Sequence, residues 1–264
     1  MKKTILITGA SSGIGLTTAL YFAERGWNVV ATMRTPQKAD RRLNQPNVYI
    51  TALDVTDDAS IAAAVAAAQQ GFGKIDVLLN NAGYGLFGAL EAMLPEQIER
   101  QLRTNVYGLM RVTQQVIPVM REQGGGVILN ISSVGGRMAF PYASAYNATK
   151  FAVEGFSESL RYELAPYNIR VKAIEPGGIK TDFASRSLVL AKNDVYSKSE
   201  DKMMAFMEKI DKTLPGPEHV AKVIFRAATD NSQRLRYLAK PGPFLAMHNL
   251  LPDCVMRWMM QKMI

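Results

Sequence analysis

The chain has little cysteine and histidine and no long apolar run. It contains one cysteine, Cys254, and two histidines, His219 and His248, far apart in the sequence. A single cysteine excludes an internal disulfide and fits a reducing compartment, and these three residues offer no cluster for a metal. No apolar run reaches the ~18 residues of a membrane-spanning helix, and no signal peptide precedes the first strand. We therefore expect a cytoplasmic protein without a metal site.

Acidic side chains are fewer than basic ones. There are 31 Lys and Arg residues against 23 Asp and Glu residues, which gives a net charge of +8 at pH 7. A nucleic-acid or anionic-surface binder that kept a nucleotide fold would explain this charge. However, the basic residues are scattered, with Arg41-Arg42 as the only internal doublet, and aromatic residues do not alternate with them. We therefore expect no nucleic-acid partner.

The sequence also lacks internal repeats and low-complexity tracts. Its 264 residues suit one α/β domain, because short apolar runs alternate with helical stretches. The expected strands lie near residues 3–8, 28–33, 48–53, 75–80, 127–131, 170–175 and 235–239. The helical stretches between them include Ser60–Gln70, Ile98–Gln123 and Ser144–Ala165.

A glycine-rich turn follows the first expected strand. The segment TGASSGIG runs from Thr8 to Gly15, between a short apolar run and an apolar-periodic helix. Gly9 can turn without a Cβ clash, Gly13 lets the backbone approach a phosphate, and Gly15 allows close helix packing. Backbone N–H groups and the helix dipole converge at such a turn, which favours a bound pyrophosphate over an ordinary glycine turn.

The region after the second strand lacks acidic residues. No Asp or Glu occurs between Trp27 and Ala39, where an acid would bind the ribose hydroxyls of NAD, but Arg34 is present. The charge therefore favours NADP(H), with its 2′-phosphate, and leaves NAD(H) as the other option. Asp54, after the third strand, is a candidate partner for the adenine amino group or a solvated turn acid.

A tyrosine and a lysine provide the candidate proton-transfer chemistry. Tyr146 and Lys150 are four residues apart, so a helix places them on one face. A carbonyl that accepts a hydride also needs a proton, and a nearby ammonium lowers the pKa of a tyrosine that supplies it. Ser133 ends the run VILNISS, at the carboxyl end of a strand, where its hydroxyl can donate to a substrate carbonyl. A loop serine that caps the next turn is the alternative for Ser133.

Together these motifs resemble the short-chain dehydrogenases/reductases over nearly the whole chain. The family's TGxxxGxG is present as TGASSGIG, NNAG as Asn80 to Gly83, YxxxK as YNATK, and the PG motif as Pro176-Gly177. The resemblance implies a Rossmann-type, doubly wound parallel sheet of about seven strands in one domain. It also implies a homodimer or homotetramer, formed through the two long helices beside the catalytic strand.

The resemblance assigns roles to individual residues. It implies Tyr146 as general acid/base, Ser133 as the group that polarises the carbonyl, and Lys150 as the residue that binds the nicotinamide ribose and lowers the tyrosine pKa. Asn105 would support a water-mediated proton relay. The expected cofactor-binding residues are Gly9, Ser11, Ser12, Gly13, Ile14, Gly15, Arg34, Asp54, Val55, Asn81, Ala82, Gly83, Tyr146, Lys150, Pro176, Gly177, Ile179 and Thr181.

The resemblance also bears on the substrate. The segment ATMR, at Ala31 to Arg34, is similar to the NADP-preferring branch that includes 17β-hydroxysteroid dehydrogenases and retinol-type reductases. It implies hydride transfer between NADP(H) and a small, apolar ketone or alcohol. The alternative is a catalytically idle NADPH sensor, whose signature would be a lost Ser, Tyr or Lys; all three are present.

Two segments near the C-terminus carry weaker signals. Residues 182–215 lie where the family has a substrate lid, and their methionines and Phe206 suit either a cover over an apolar substrate or a helix packed on the domain. Residues 244–264 form an apolar, methionine-rich tail. We expect ordinary packing or a subunit contact there rather than attachment to a membrane surface, since only Arg257 and Lys262 interrupt CVMRWMMQKMI with charge.

Overall fold

Parallel strands form the framework of this protein, whose computed structural model describes residues 2–180, 187–211 and 214–262. Within residues 197–211, the side chains of residues 204 and 206–211 are also outside the description. The strands in these ranges are β1 Thr4–Ile7, β2 Asn28–Met33, β3 Val48–Ala52, β4 Val77–Asn80, β5 Gly85–Gly88, β6 Gly126–Ile131, β7 Ile169–Pro176, β8 Leu188–Ala191 and β9 Arg236–Ala239.

The central sheet has seven strands in the order β3-β2-β1-β4-β6-β7-β9. All its pairings are parallel, and Ile5 of β1 lies opposite Val29 of β2 on one side and Val77 of β4 on the other. The chain moves outward from β1 to β3 and then returns to β4 on the other side of β1. This reversal opens a crevice at the carboxyl ends of β1 and β4, where parallel sheets bind their ligands.

Helices cover both faces of the sheet, which explains why its central strands are apolar throughout. The helices are α1 Gly13–Ala23, α2 Asp58–Phe72, α3 Pro95–Leu102, α4 Leu109–Glu122, α5 Ser144–Leu164, α6 Ser197–Asp211, α7 Glu218–Thr229, α8 Pro243–Leu250 and α9 Asp253–Lys262. One apolar core lies between the sheet and the pair α1 and α7. A second core joins the opposite face to α2, α4 and α5.

The Rossmann-type sheet that the sequence predicts is confirmed. Each of the seven expected strands lies in the central sheet, and each boundary is within two residues of its prediction. The strands β5 and β8 were not predicted; they form a separate parallel pair in which Gly85 lies opposite Leu188. Gly88 permits this pairing, because a Cβ atom there would lie 2.0 Å from the carbonyl oxygen of Ala191.

The predicted helix over Ile98–Gln123 is interrupted. The α3 helix ends at Leu102, a π-helical segment spans Arg103–Gly108, and α4 follows. Such widened turns occur frequently at functional sites, because they displace side chains from the regular helical register. Here the segment contains Asn105, whose side chain is buried.

The predicted lid, residues 182–215, lies partly outside the described ranges. Its residues 182–186, 212 and 213 are not described, and neither is Thr181 just before it. Within the described part, β8 is followed by a short 3₁₀ turn and then α6, in which the Met203 side chain is buried. The side chains of Met204, Phe206 and Met207 are among those not described.

The apolar tail packs against the loop after β6. Leu245 of α8 and Met256 of α9 form a core cluster with Val134 and Met138, and Met259 and Met260 pack beside them. Ordinary packing therefore accounts for these side chains of the tail, whereas Leu250, Val255 and Trp258 are 82%, 37% and 60% exposed. No helix in the described ranges is both long enough and apolar enough to cross a membrane.

A chain of buried polar side chains joins the middle strands to their helices. Asn80 of β4 donates to Thr113 of α4 at 2.8 Å and to Asn130 of β6 at 2.9 Å. Asn130 donates in turn to Ser157 of α5 at 2.9 Å. Because buried hydrogen bonds of this kind require close alignment of their partners, the chain fixes the spacing of β4, β6 and α5 just behind the crevice.

We predict that Asn130→Ala lowers the free energy of unfolding by about 2–3 kcal/mol. The substitution removes an acceptor from the buried side-chain amide of Asn80 and leaves a cavity in place of the Asn130 amide. Urea-induced unfolding measures the change. Asn249→Ala makes the same substitution at an exposed position of α8 and serves as the control, which should change stability by at most about 0.5 kcal/mol. Equal effects of the two substitutions would contradict a structural role for this chain of side chains.

Candidate active site

A large cleft of about 2010 Å³ runs along the carboxyl edge of the central sheet. Its walls include the segments that follow four neighbouring strands, represented by Gly9 after β1, Asn81 after β4, Ser133 after β6 and Gly177 after β7. Sixteen of the eighteen expected cofactor-binding residues line it. The exceptions are Gly15 and Thr181, the latter lying outside the described residues.

The glycine-rich turn begins with a residue that only glycine suits. Gly9 has a φ of +70°, and a Cβ atom there would lie 2.9 Å from the Cα atom of Ala82. The side-chain amide of Asn81 donates to the carbonyl oxygens of Thr8 at 2.9 Å and Gly9 at 3.0 Å. The NNAG segment therefore holds the turn in place through direct hydrogen bonds.

Gly15 lies behind the glycine-rich turn, and its expected contact with the cofactor remains a prediction. Gly15 does not line the cleft; it faces the preceding turn, where a Cβ atom would lie 2.3 Å from the carbonyl oxygen of Gly9 and 2.6 Å from the Asn81 side-chain nitrogen. Its small size instead lets α1 approach β1, so that the first turn of the helix points into the cleft.

The start of α1 fits the diphosphate of a dinucleotide. Ser11, Ser12, Gly13 and Ile14 all line the cleft at the helix N-terminus. Ser12 is the N-cap residue, with an extended backbone, but its side chain makes no capping hydrogen bond. The first backbone N–H groups of a helix have no partner within the helix. Together with the helix dipole, they provide the donors and the positive potential that an anionic ligand requires.

The end of the cleft that lies after β2 and β3 combines an acid with several arginines. Asp54 and Val55 line the cleft opposite Arg34, which is exposed at the rim after β2. Burial opposes ionisation of Asp54, but hydrogen bonds from the Thr56 N–H and hydroxyl groups, with the charges of Arg34 and Arg100, lower the pKa of this carboxyl group. This end of the cleft is therefore suited to a ligand group that carries negative charge.

Ser133 and Tyr146 face each other across the other end of the cleft. Ser133 follows β6, and its Oγ atom accepts a hydrogen bond from the N–H of Gly135 at 3.0 Å. The Tyr146 ring, in the first turn of α5, packs 5.4 Å from that of Phe87. Burial raises the pKa of the Tyr146 hydroxyl, whereas a hydrogen bond with Ser133 acts in the opposite direction. The net shift is upward, which is opposite to the lowering that the sequence led us to expect from Lys150.

Lys150 lies one helical turn beyond Tyr146, beneath the same part of the cleft. Its Nζ atom donates to the carbonyl oxygen of Ile131 at 2.8 Å and lies 5.7 Å from the centre of the Tyr146 ring. Burial lowers the pKa of Lys150 to about 8, and the negative charge of Glu154 opposes this effect. The charge state of Lys150 is therefore sensitive to its neighbours near physiological pH.

Asn105 does not line the cleft but supports one of its walls. Its Oδ1 atom accepts from the Tyr84 N–H at 3.0 Å, and its Nδ2 atom donates to the Tyr84 carbonyl oxygen at 2.8 Å and to Thr149 Oγ1 at 3.2 Å. The side chain thus ties the segment after NNAG to α5. A role of Asn105 in a proton relay remains a prediction.

Pro176, Gly177 and Ile179 line the cleft beyond β7, beside Tyr146 and Ser133. Several further lining residues were not predicted from the sequence: Tyr84, Phe87, Arg100, Arg103, Phe140, Tyr142 and Phe244. The short run between Gly85 and Gly88 is a signal that could have indicated the strand carrying Phe87. Tyr84, Phe140 and Tyr142 lie in connections, and Arg100, Arg103 and Phe244 lie in helical segments. Their placement at the cleft depends on tertiary packing.

Comparison with known proteins gives consistent matches along the chain. A model of the short chain dehydrogenase family matches residues 3–189. The uncharacterized oxidoreductase YusZ of Bacillus subtilis is 40% identical over 249 residues, which cover 89% of this chain and 88% of that protein. A 3-ketodihydrosphingosine reductase of Bacteroides thetaiotaomicron is 36% identical over 264 residues, which cover 97% and 96% of the two chains.

Solved structures give the same result. A short-chain dehydrogenase from Streptomyces avermitilis matches with a TM-score of 0.84 and 32% identity, over 99% of this chain and 96% of that one. ElxO with NADP bound matches with a TM-score of 0.75 and 29% identity, over 91% and 99% of the chains. A 3-ketoacyl-(acyl-carrier-protein) reductase from Brucella melitensis, complexed with NADH, matches with a TM-score of 0.76 and 29% identity, over 90% and 98%. The chain therefore belongs to the short-chain dehydrogenase family and is an oxidoreductase that uses a nicotinamide cofactor.

Proposed function

We propose that this protein transfers a hydride between NADP(H) and the carbonyl or alcohol carbon of an apolar small molecule. One observation carries the proposal: Ser133, Tyr146 and Lys150 open onto the same cleft as the glycine-rich turn and the N-terminus of α1. The diphosphate would lie at that helix, Arg34 and Asp54 would face the adenosine, and Ile179 with Pro176-Gly177 would border the nicotinamide.

When bound, the nicotinamide ring gives a hydride to the substrate carbon or accepts one from it. In the direction of reduction, Tyr146 donates its phenolic proton to the substrate oxygen as negative charge develops there. The Ser133 hydroxyl donates a hydrogen bond to the same oxygen, and the Gly135 N–H group holds Ser133 Oγ in position. In the direction of oxidation, Tyr146 takes the proton from the alcohol.

Lys150 makes this proton transfer feasible. Because burial raises the pKa of Tyr146, the tyrosine can lose its proton near neutral pH only if a positive charge stabilises the phenolate. The Lys150 ammonium is the nearby charge, and its remaining donors would bind the nicotinamide ribose. Asn105 contributes indirectly by holding Tyr84, next to Gly83, against α5.

We infer a preference for NADP(H) from the rim of the cleft after β2. Arg34 lies there without an acid between Trp27 and Ala39. A guanidinium group pairs well with a phosphate, whereas a ribose diol is better bound by a carboxylate. Solved structures similar to this protein contain either NADP or NADH, so the fold alone does not select the cofactor. The inferred preference for NADP(H) therefore depends on Arg34.

The substrate end of the cleft favours an apolar ketone or alcohol. Its lining includes Phe87, Phe140, Val189, Met203 and Phe244, which surround the approach to Tyr146 with apolar surface. The relative from Bacteroides thetaiotaomicron is named as a reductase of a keto compound, which supports reduction of a ketone. We further propose that the described parts of the predicted lid cover the bound substrate, because Met203 and Leu214 already line this end.

We also propose that the protein forms a homodimer or homotetramer. Tyr107, in the π-helical segment just before α4, and Phe151 of α5 are 51% and 47% exposed. Large apolar side chains on the long helices beside the catalytic strand suit a homodimer or homotetramer contact.

The proposed activity is tested by oxidation of NADPH and NADH with a panel of apolar ketones, aldehydes, quinones and steroids. Turnover with at least one ketone, faster with NADPH than with NADH, is expected. Tight NADPH binding with no turnover across the panel would contradict the proposal and favour a cofactor-sensing protein.

Replacing Tyr146 with Phe should reduce turnover by about 10²–10⁴-fold while leaving NADPH affinity nearly unchanged, because only the proton donor is removed. Steady-state kinetics and fluorescence titration with NADPH measure the two quantities. Tyr142→Phe removes the same group from another tyrosine of the cleft and should retain turnover. Undiminished activity of the Tyr146→Phe protein would contradict the mechanism.

Replacing Arg34 with Asp should shift the ratio of NADPH to NADH affinity towards NADH by about tenfold or more, since it exchanges a charged hydrogen bond to phosphate for repulsion. The dissociation constants of both cofactors provide the measurement. Arg41→Asp makes the same change in charge at an exposed residue outside the cleft lining, and should leave the ratio near that of the unaltered protein. An unchanged ratio in the Arg34 variant would rule out this arginine as the anchor.

Replacing Gly15 with Ala should weaken the binding of either cofactor and destabilise the fold, because the new methyl group would overlap the Gly9 carbonyl. A loss of about 1–3 kcal/mol of stability is expected from this overpacking. Gly71→Ala adds the same methyl group to open space on α2 and should stabilise that helix slightly. Normal cofactor affinity in the Gly15 variant would show that the turn tolerates displacement of α1.

A further inference from the structure

Two buried carboxyl groups lie behind Lys150, and neither lines the cleft. Glu154 follows Lys150 by one turn of α5 and is 5% exposed, and Glu175, near the end of β7, is fully buried. One oxygen atom of each, Glu154 Oε1 and Glu175 Oε2, is buried without a hydrogen-bond partner among the described residues. Burial of such carboxyl groups costs free energy, so their position beside Lys150 indicates a role beyond packing.

Both carboxyl groups are held by the same arginine. Arg236 Nε lies 3.0 Å from Glu154 Oε2 and 3.4 Å from Glu175 Oε1, and Arg236 Nη2 lies 2.7 Å from the exposed Glu158. Arg137, in the loop after Ser133, contacts Glu175 Oε1 at 3.4 Å. The cluster therefore connects α5, β7, β9 and the loop that carries Ser133.

Close packing brings this cluster against the catalytic helix. At Gly136, a Cβ atom would lie 2.8 Å from the carbonyl oxygen of Lys150, 3.1 Å from Glu154 Cγ and 2.7 Å from Ser132 Oγ. The absence of a side chain at Gly136 thus allows the loop after β6 to cover Glu154 and keep water away from it. In such an environment, a charge on Glu154 acts on Lys150 with little screening.

We propose that Glu154 is a positioning residue whose negative charge keeps Lys150 protonated, and that Glu175 stands beside it as a neutral, protonated carboxylic acid. The proposal rests on the proposed role of Lys150 in binding the nicotinamide ribose and stabilising the Tyr146 phenolate. Neither glutamate touches the reacting atoms.

The charges around the pair agree with this assignment. On its own helix, Glu154 has Lys150 and Glu158 as neighbours, one turn away on either side. Arg236 of β9 contacts both Glu154 and Glu175. Arg137 contacts Glu175. With Glu175 neutral, the two arginines balance Glu154 and Glu158. Burial and the neighbouring charge of Glu154 raise the pKa of Glu175, whereas Arg137 and Arg236 oppose this effect. A proton on Glu175 also removes the charge from a carboxyl group that is fully buried.

The charge of Glu154 affects the pKa of Lys150 in one direction. Burial lowers the pKa of Lys150 to about 8, and Glu154 opposes that shift. Removing the charge of Glu154 must therefore lower the lysine pKa further. Because the mechanism needs the ammonium form, the alkaline limb of the activity profile should move to lower pH.

The test compares kcat/KM as a function of pH for the unaltered protein and for three variants in which one glutamate becomes glutamine. Glu154→Gln should move the alkaline limb to lower pH by on the order of 1 pH unit. Glu158→Gln removes a carboxylate bound to the same arginine but exposed, and should leave the limb in place. Glu175→Gln resembles the protonated acid and should also leave it in place. The pH dependence of NADPH affinity, measured by fluorescence, should follow the same pattern without requiring turnover.

If the alkaline limb of the Glu154→Gln protein stays in place, the proposal is wrong. If the limb of the Glu175→Gln protein shifts as far as that of Glu154→Gln, Glu175 is not the protonated carboxyl group. If Glu154→Gln does not fold, Arg236→Gln tests the same claim from the opposite direction, because removal of a positive charge should move the limb to higher pH. An inactive unaltered protein that binds NADPH with the predicted pH pattern would instead count against the proposed reductase activity alone.

Discussion

The reversal of strand order between β1 and β4 is the constraint on which the rest of the cleft depends. Because the connections after these strands run to opposite sides, the connecting segments diverge and leave room for an extended ligand. The hydrogen bonds from Asn81 to Thr8 and Gly9 join the two sides at this point. Gly15 then allows α1 to approach closely enough for its first N–H groups to border the crevice.

The reactive end of the cleft places ionisable groups where burial opposes their charge. The pKa values of Tyr146 and Lys150 are both shifted towards the neutral forms, which disfavours the ion pair that the proposed proton transfer requires. The surrounding structure counteracts this effect with fixed partners: Ser133 for the tyrosine, and the Ile131 carbonyl and Glu154 for the lysine. The polar chain from Asn80 to Ser157 keeps β6 and α5 at the spacing these contacts need.

Much of this arrangement could be predicted from the sequence because it depends on local signals. Short apolar runs identified the seven strands of the central sheet, and the glycine, serine, tyrosine and lysine motifs identified the residues at its carboxyl edge. The pairing of β5 with β8 could not be predicted, since it joins segments about a hundred residues apart through backbone contact at Gly88. The Glu154–Glu175 cluster was likewise missed. Single glutamates in a helix and a strand carry no signal of their shared arginine.

We propose that this cleft transfers a hydride directly from the nicotinamide to a carbonyl carbon. The most direct test uses NADPH that is stereospecifically deuterated at C4, once on each face, with a ketone that the protein reduces. Mass spectrometry of the alcohol measures the transfer. The account predicts one deuterium at the new carbinol carbon from one of the two cofactors and none from the other. Consumption of NADPH without deuterium in the alcohol from either cofactor would contradict it.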